Sequence, residues 1–317
     1  MDTINKRYIW LFFSILITLM VAAYIINTIY SPQRKPQPGN DFNSDKAAYV
    51  TVTDPQGKII LQTGIPVAKD DEYISAEDIH YVIIKVNGDK AVAQVKKGNA
   101  QLKPGNKVAK AATLTYPRII PSQAFYAGSH HMVIYHTHSD ESFIPDSGVA
   151  SKPGNGDVYE VGSVLGSALN DAGISTTQSQ NSHGPHDINA YHRSRRTVTQ
   201  LLKERPDACL DIHRDSAPLS SYSTTDNGIP VSRVMIVVGR SNPNQHSNLA
   251  YAKQIKAAAD ELHPGLMRGI FIGHGDYNQD LYPTALLFEV GTENNSLDAV
   301  NSSVRLLADA IIGVTMR

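Results

Sequence analysis

A run of 23 residues near the amino terminus, from Tyr8 to Tyr30, contains no charged side chain. As a helix rising about 1.5 Å per residue, the run would be roughly 34 Å long. That length is enough to cross a hydrocarbon layer of about 30 Å. Trp10, Tyr24 and Tyr30 lie towards its ends, where aromatic rings favour the lipid headgroup zone. The run therefore predicts a transmembrane anchor at residues 8–30, preceded by a short tail at residues 1–7.

A cleavable signal peptide is the competing interpretation of this run. Lys6 and Arg7 precede it, and the Val-Ala-Ala sequence at residues 21–23 resembles a small-residue cleavage site. The apolar sequence continues for seven residues beyond Ala23, which favours an anchor that is not cleaved. The charge pattern leaves the orientation open, because two basic residues flank the run on each side.

The next stretch predicts a linker followed by a small β module. Residues 31–46 contain three prolines and almost no apolar side chain, as expected of an extended spacer. Two hairpins are predicted after it, with turns at Asp54–Gly57 and at Asn87–Gly88. We assign residues 47–112 to this β module and residues 113–317 to a catalytic domain.

The predicted catalytic domain alternates between two hydrophobic periods. Short apolar runs at 132–135, 209–212, 234–238 and 285–288 are typical of strands buried on both faces. Amphipathic helical stripes begin at Val158 and at Leu297. This alternation predicts an α/β fold with a mostly parallel sheet flanked by helices.

Composition narrows the class of function. A 41% hydrophobic and 19% charged chain with a net charge of −1 is not typical of a disordered protein or of a nucleic-acid binder. The single cysteine excludes an internal disulfide and cysteine-rich metal modules, and Cys209 is expected in the core. Twelve histidines leave a histidine and carboxylate metal site open.

Polar groups suited to metal binding follow three of the four predicted strands. His136, His138 and Glu141 follow the first, His213 follows the second, and the fourth ends at Glu289. In open α/β sheets, sites form beyond the carboxyl ends of the strands. Two histidines and a carboxylate can bind zinc and leave a position for water. Glu289 is then a candidate general base.

Five sequence blocks in this part of the chain resemble one known family. They are IYHTHSDESF (134–143), DIHRDS (211–216), PGLMRGI (264–270), YNQDLYP (277–283) and LLFEVGTENNS (286–296). The blocks resemble stage II sporulation protein P, a family of membrane-anchored peptidoglycan hydrolases of spore-forming bacteria. The resemblance covers about residues 130–317. It implies a fold similar to that of zinc-dependent N-acetylmuramoyl-L-alanine amidases of the AmiC type.

The resemblance also implies a site. Zinc would be bound by His138, Glu141 and His213, with Glu289 as the catalytic carboxylate. Aligning the strand end of the wider amidases with Ile134 selects His138 rather than His136 as the ligand. His136 would then lie behind the ligands or on the substrate side, and Asp140 is an alternative oxygen ligand.

The activity implied by the resemblance is cleavage of the amide between N-acetylmuramic acid and L-alanine, outside the cytoplasm. The family is associated with thinning of the sporulation septum during engulfment, together with stage II sporulation proteins D and M. Two alternatives stay open: a peptidoglycan cross-link endopeptidase using the same site, and a non-catalytic scaffold that binds the cell wall.

Several other polar residues allow a functional and a structural interpretation. His183 and His186, in a Gly-Pro loop, are expected in a solvated turn, with metal binding as the alternative, and His274 is expected in a loop. A further group is expected either to contact peptide or glycan, or to form salt bridges and turns: Arg195, Arg214, Arg268 and residues 278–280.

Overall fold

The computed structural model describes residues 49–96 and 130–316. The predicted membrane span at 8–30, the linker at 31–46 and the domain boundary after residue 112 lie outside these stretches. Within the two described stretches, no helix combines the length and the hydropathy needed to cross a bilayer.

Strands account for both predicted hairpins and for all four predicted apolar runs. In chain order they are β1 (Val50–Thr53), β2 (Ile59–Thr63), β3 (Glu72–Ser75), β4 (His80–Asn87), β5 (Lys90–Val95), β6 (His130–Tyr135), β7 (Ile174–Gln178), β8 (Ala208–Asp215), β9 (Ser223–Asp226), β10 (Ile229–Ser232), β11 (Val234–Gly239), β12 (Met267–Gly273) and β13 (Ala285–Thr292). The β1–β2 and β4–β5 pairs are antiparallel, as the turn sequences predict.

The helices include the two predicted from amphipathic stripes. They are α1 (Ile144–Ser147), α2 (Val158–Asp171), α3 (Ala190–Leu201), α4 (Leu219–Tyr222), α5 (Gln245–Leu262) and α6 (Leu297–Thr315), with 3-10 turns at Leu202–Glu204 and Gln279–Leu281. Helix α6 begins after Ser296, whose side chain accepts a hydrogen bond from the backbone N–H of Ala299. Gly173, just after α2, adopts a left-handed conformation with φ of 87° that suits glycine.

One sheet of eleven strands organises the described residues, in the order β2-β1-β5-β4-β3-β12-β11-β13-β8-β6-β7. Four of the five pairings from β12 to β7 are parallel, which confirms the prediction of an α/β fold with a mostly parallel sheet in this part. The exception is β11, which runs antiparallel to β13. The three strands that carry predicted site residues, β6, β8 and β13, therefore run in one direction, and their carboxyl ends share one edge.

Helices cover both faces of the mostly parallel part. On one face α2, α5 and α6 pack on a core that includes Ile134, Ile212 and Phe288. On the other face, Val198 of α3 packs with Tyr135 and Cys209. Cys209 is fully buried, as predicted. The second face is the one that carries the candidate site.

Strands β1–β5, predicted as a separate small module, continue the same sheet. Strand β3 pairs antiparallel with β12, from Ser75 opposite Gly269 to Glu72 opposite Ile272. Gly269 has a φ of 144°, and a Cβ at this position would lie 2.1 Å from the carbonyl oxygen of Ile74. Only glycine permits this close approach of the two backbones. The placement of a domain boundary at residue 112 stays a prediction.

Candidate metal centre and active site

The parallel strands β6, β8 and β13 bring the predicted site residues together. His213 on β8 lies opposite Glu289 on β13, so the two side chains leave the same face of the sheet. Strand β6 ends at Tyr135, and the turn that follows it carries His138 and Glu141 to this face. The structure thus brings the predicted groups together beyond matching strand ends, and their role in metal binding stays a prediction.

Glu141 lies between the two predicted histidine ligands. Its Oε1 atom is 3.2 Å from Nδ1 of His138 and 3.5 Å from Nδ1 of His213. The two imidazole rings are 4.9 Å apart between centroids and nearly perpendicular. Glu141 and His213 are buried, with side-chain exposures of 3% and 1%, whereas His138 is 19% exposed. Glu141 and His213 are thus the buried part of the cluster, and His138 is its partly exposed part.

The turn that carries Glu141 is held from below by Arg214. The backbone N–H of Arg214 donates to Oε2 of Glu141 at 3.0 Å, and its guanidinium donates to the carbonyl oxygens of Ser142 and Ala150. A Cβ at Gly156 would lie 2.6 Å from the carbonyl oxygen of Glu141, so the neighbouring loop packs directly on this backbone. Arg214 therefore orients Glu141 and the turn that carries it.

Asp211 is a site residue that the sequence analysis missed. Its Oδ1 atom is 2.9 Å from Nε2 of His213, on the side of the ring opposite Glu141. The carboxylate also accepts hydrogen bonds from the backbone N–H and the hydroxyl of Thr137. The contact of Asp211 with His213 is a close charge pair and not an aligned hydrogen bond, since Nε2 of His213 is buried with no hydrogen-bond partner among the described residues. A carboxylate this close to a ring nitrogen can still orient a metal-binding histidine. The spacing Asp211-x-His213 on one strand was the available signal, because alternate residues share a face.

The electrostatics of this cluster favour a positive charge between Glu141 and His213. Burial alone would raise the pKa of Glu141, but His213 and His138 outweigh it and hold that pKa well below its usual range. Burial alone would lower the pKa of His213, but Asp211 and Glu141 outweigh it and raise that pKa well above its usual value. The same electrostatics would favour a metal cation bound between Glu141 and His213.

Glu289 lies beside this cluster without a hydrogen-bond partner for one oxygen. Its Oε2 atom is buried and unpaired among the described residues. Burial and the nearby carboxylate of Asp215 raise the pKa of Glu289 well above its usual value. A divalent cation at the adjacent ligands would favour the charged carboxylate. The unpaired oxygen and the donor set of two imidazoles and one carboxylate fit zinc.

His136 and His183 are structural, because the protein engages both nitrogens of each ring. In His136, Nδ1 is 3.0 Å from the carbonyl oxygen of Ile212 and Nε2 is 2.9 Å from Nε2 of Gln178. In His183, Nδ1 is 2.7 Å from the carbonyl oxygen of His136 and Nε2 is 2.8 Å from Oγ1 of Thr197. The expectation that His183 lies in a solvated turn is wrong, since its exposure is only 4%.

His186 lies at the mouth of the site. Nitrogen or oxygen atoms of His138, Glu141 and His186 all lie within 4.8 Å of one another, a spacing that suits a metal ion. Nδ1 of His186 is 3.1 Å from Oδ1 of Asp140, whose other oxygen accepts a hydrogen bond from Ser151. Asp140, predicted as an alternative oxygen ligand, is thus in contact with His186 and Ser151.

The remaining polar candidates have structural partners. Arg195 forms a two-point ion pair with Asp280, and Arg268 pairs with the buried Asp215. His274 in its loop pairs with Asp71. Asn278 and Gln279 donate to backbone carbonyl oxygens of Tyr191 and Val237.

Replacing Asp211 by asparagine is expected to weaken zinc binding by about 10–100-fold, as for other residues that orient a metal ligand. Asparagine keeps the shape of the side chain but removes the charge that holds His213. Competition with a chelator of known affinity measures the effect. Unchanged affinity would show that Asp211 does not orient this ligand.

Comparison with known proteins identifies the family. The family model for stage II sporulation protein P matches residues 40–312. The chain belongs to the stage II sporulation protein P family. The resemblance read from the five sequence blocks is therefore confirmed, and the match extends beyond those blocks into strands β1–β5.

A relative in this family is stage II sporulation protein P of Bacillus subtilis (strain 168). The two sequences are 32% identical over 196 residues, which is 56% of this chain and 49% of the relative. The chain thus spans about half the length of this relative.

Solved structures of amidases show a weaker similarity to this chain than the relative from Bacillus subtilis does. The CwlD amidase of Clostridioides difficile in complex with the GerS lipoprotein has a TM-score of 0.41 and 11% identity, covering 59% of this chain and 97% of that one. The amidase Ami1 of Mycobacterium smegmatis has a TM-score of 0.39 and 15% identity, covering 59% and 97%. Membership of the stage II sporulation protein P family rests on the family model and not on these structures.

Proposed function

We propose that this protein is a membrane-anchored, zinc-dependent N-acetylmuramoyl-L-alanine amidase that acts on peptidoglycan. The observation that carries the proposal is the register of β8 and β13, which sets Glu289, with one unpaired carboxylate oxygen, directly opposite His213. An isolated carboxylate next to a two-histidine, one-carboxylate donor set is the arrangement that metal-assisted hydrolysis requires.

His138, Glu141 and His213 would hold the zinc ion, with Asp211 fixing the ring of His213 from behind. When bound, zinc lowers the pKa of a coordinated water towards about 7 and polarises the carbonyl under attack. The burial of Glu141 and His213 keeps the donor set in one geometry, so little rearrangement is needed when substrate arrives.

Glu289 would act as the general base and then as the general acid. Its carboxylate would accept the proton of the attacking water and return that proton to the leaving amine, over about 2.6–3.2 Å or through one water. Burial and Asp215 raise the pKa of Glu289, and a neighbouring cation would lower it, so the carboxyl group could both accept and release a proton. Acceptance of the proton in the first half requires the neighbouring cation.

The scissile bond we propose joins the lactyl group of N-acetylmuramic acid to L-alanine. Its hydrolysis would leave glycan strands and free stem peptides. The predicted span at residues 8–30 would hold the catalytic part at the outer side of the membrane. Action at the sporulation septum during engulfment, alongside stage II sporulation proteins D and M, is part of this proposal and follows from the family resemblance.

Mass analysis of muropeptides tests the proposal. Purified full-length protein in detergent is incubated with sacculi, with a chelator, and with added zinc. An amidase releases stem peptides that begin with L-alanine, and the chelator abolishes this release until zinc is restored. Release of peptides cut only at the cross-links would instead identify an endopeptidase, and unchanged sacculi with zinc would favour a scaffold that binds the wall.

A further inference from the structure

A third histidine ring lies against the proposed zinc ligands. The ring of His186 stacks on that of His138, with centroids 4.0 Å apart and an interplanar angle of 25°. Both rings present nitrogen atoms to the region around Glu141, and atoms of the three residues lie within 4.8 Å of one another. One cation can therefore approach both histidines and the carboxylate.

Asp140 orients the ring of His186 in the way that a carboxylate orients a metal-binding histidine. Its Nδ1 atom lies 3.1 and 3.3 Å from the two oxygens of Asp140. Asp140 is itself 5% exposed and receives the hydroxyl of Ser151. A buried carboxylate also lies close to one ring nitrogen of His213, where Oδ1 of Asp211 is 2.9 Å from Nε2 and Nδ1 is on the side of Glu141. A carboxylate partner of this kind fixes ring orientation and raises ligand basicity.

Two neighbouring histidines provide the contrast. His136 and His183 use both ring nitrogens in contacts with the protein. His186 uses Nδ1 alone, and its Nε2 atom has no hydrogen-bond partner among the described residues. An imidazole nitrogen of this kind, next to two other donors, is suited to bind a metal ion.

Exposure distinguishes His186 from the ligands beneath it. Its side chain is 42% exposed, against 1% for His213 and 3% for Glu141. It lies in the connection between β7 and α3, and not on a strand. The buried ligands are held by the sheet, whereas His186 can leave the site without disturbing the core.

We propose that His186 is a fourth, exchangeable protein ligand of the zinc ion held by His138, Glu141 and His213. This inference rests on the proposed function. With His186 bound, the ion has four protein ligands, which is the pattern of a closed site. With His186 displaced, three ligands and one open position are left for water and substrate. Entry of substrate therefore requires that His186 give up its place.

Cobalt substitution of the full-length protein in detergent tests this inference, with the metal alone as the probe. Wild type is compared with His186→Ala and with His192→Ala, a matched exposed histidine on α3. Wild type and His192→Ala are expected to show the intense visible absorption of four-coordinate cobalt. His186→Ala is expected to show shifted bands, because a water oxygen replaces an imidazole nitrogen, and at least about 10-fold weaker zinc binding in chelator competition, as when a residue that orients a ligand is removed.

The possible outcomes separate the two proposals. If all three proteins bind cobalt with the same spectrum and zinc with the same affinity, His186 is not a ligand, and the proposed zinc hydrolase is unaffected. If wild type takes up no cobalt and no zinc, the proposed function and this inference both fail. A spectral change in His186→Ala together with weaker zinc binding supports the inference even where hydrolysis is not measured.

Discussion

Replacing Glu289 by glutamine is expected to reduce the rate of muropeptide release by about 10²–10⁴-fold, the contribution typical of a general acid or base. Glutamine has nearly the same shape but cannot accept the proton of the attacking water. Zinc stoichiometry is expected to be unchanged, because Glu289 lies on β13 beside the three ligands and is not one of them. Rate and metal content are measured on the same sample.

Glu160→Gln is the matched control, since Glu160 is an exposed glutamate on α2. This variant is expected to hydrolyse sacculi at the wild-type rate. If Glu289→Gln releases stem peptides as fast as Glu160→Gln, Glu289 is not the proton-transfer group. If it loses zinc as well as activity, Glu289 is a ligand and another group transfers the proton.

Replacing His213 by alanine is expected to have the second large effect, on metal binding and on stability. The variant loses one of the three proposed ligands, so zinc is expected to fall below one equivalent. It also leaves Glu141 and Asp211 buried without their shared partner. Breaking a buried ion pair by removing one member costs about 3–5 kcal/mol. The metal-free variant is therefore expected to unfold at lower denaturant concentration than metal-free wild type.

His246→Ala, an exposed histidine on α5, is the control for this experiment. It is expected to retain one equivalent of zinc and wild-type stability. Retention of one equivalent by His213→Ala, at wild-type affinity, would remove His213 from the ligand set. Loss of stability without loss of zinc would show that His213 only packs the core.

The positions of the predicted site residues could be read from the sequence where strands carry them. Apolar runs of four or five residues fixed the strand ends, and the groups that follow β6, β8 and β13 meet because these strands are parallel. The direction of β11 was not predictable, because a fully apolar strand shows no difference between parallel and antiparallel pairing. This reversal had no effect on the site, since no predicted ligand follows β11.

The groups that support the ligands were harder to predict. Asp211 stood in a strand pattern and was counted as part of the core, although its spacing from His213 placed both on one face. His186 lies in a loop, where no periodicity shows which way a side chain points. Its position depends on Asp140 and on the ring of His138, which lie nearly fifty residues earlier in the chain.

The attachment of strands β1–β5 was also beyond local reasoning. Their hairpins are encoded by turn residues a few positions apart. The pairing of β3 with β12 joins segments almost two hundred residues apart, at the close approach of Gly269 to Ile74. No short-range pattern specifies such a contact, so these strands resembled a separate module.

Anomalous X-ray diffraction at the zinc edge, on crystals grown with zinc, tests the central claim most directly. We expect one ion about 2.0–2.2 Å from a nitrogen of His138, a nitrogen of His213 and an oxygen of Glu141. The carboxylate of Glu289 is expected to lie beside that ion without binding it. An ion bound elsewhere, or a Glu289 side chain directed away from it, would contradict the account.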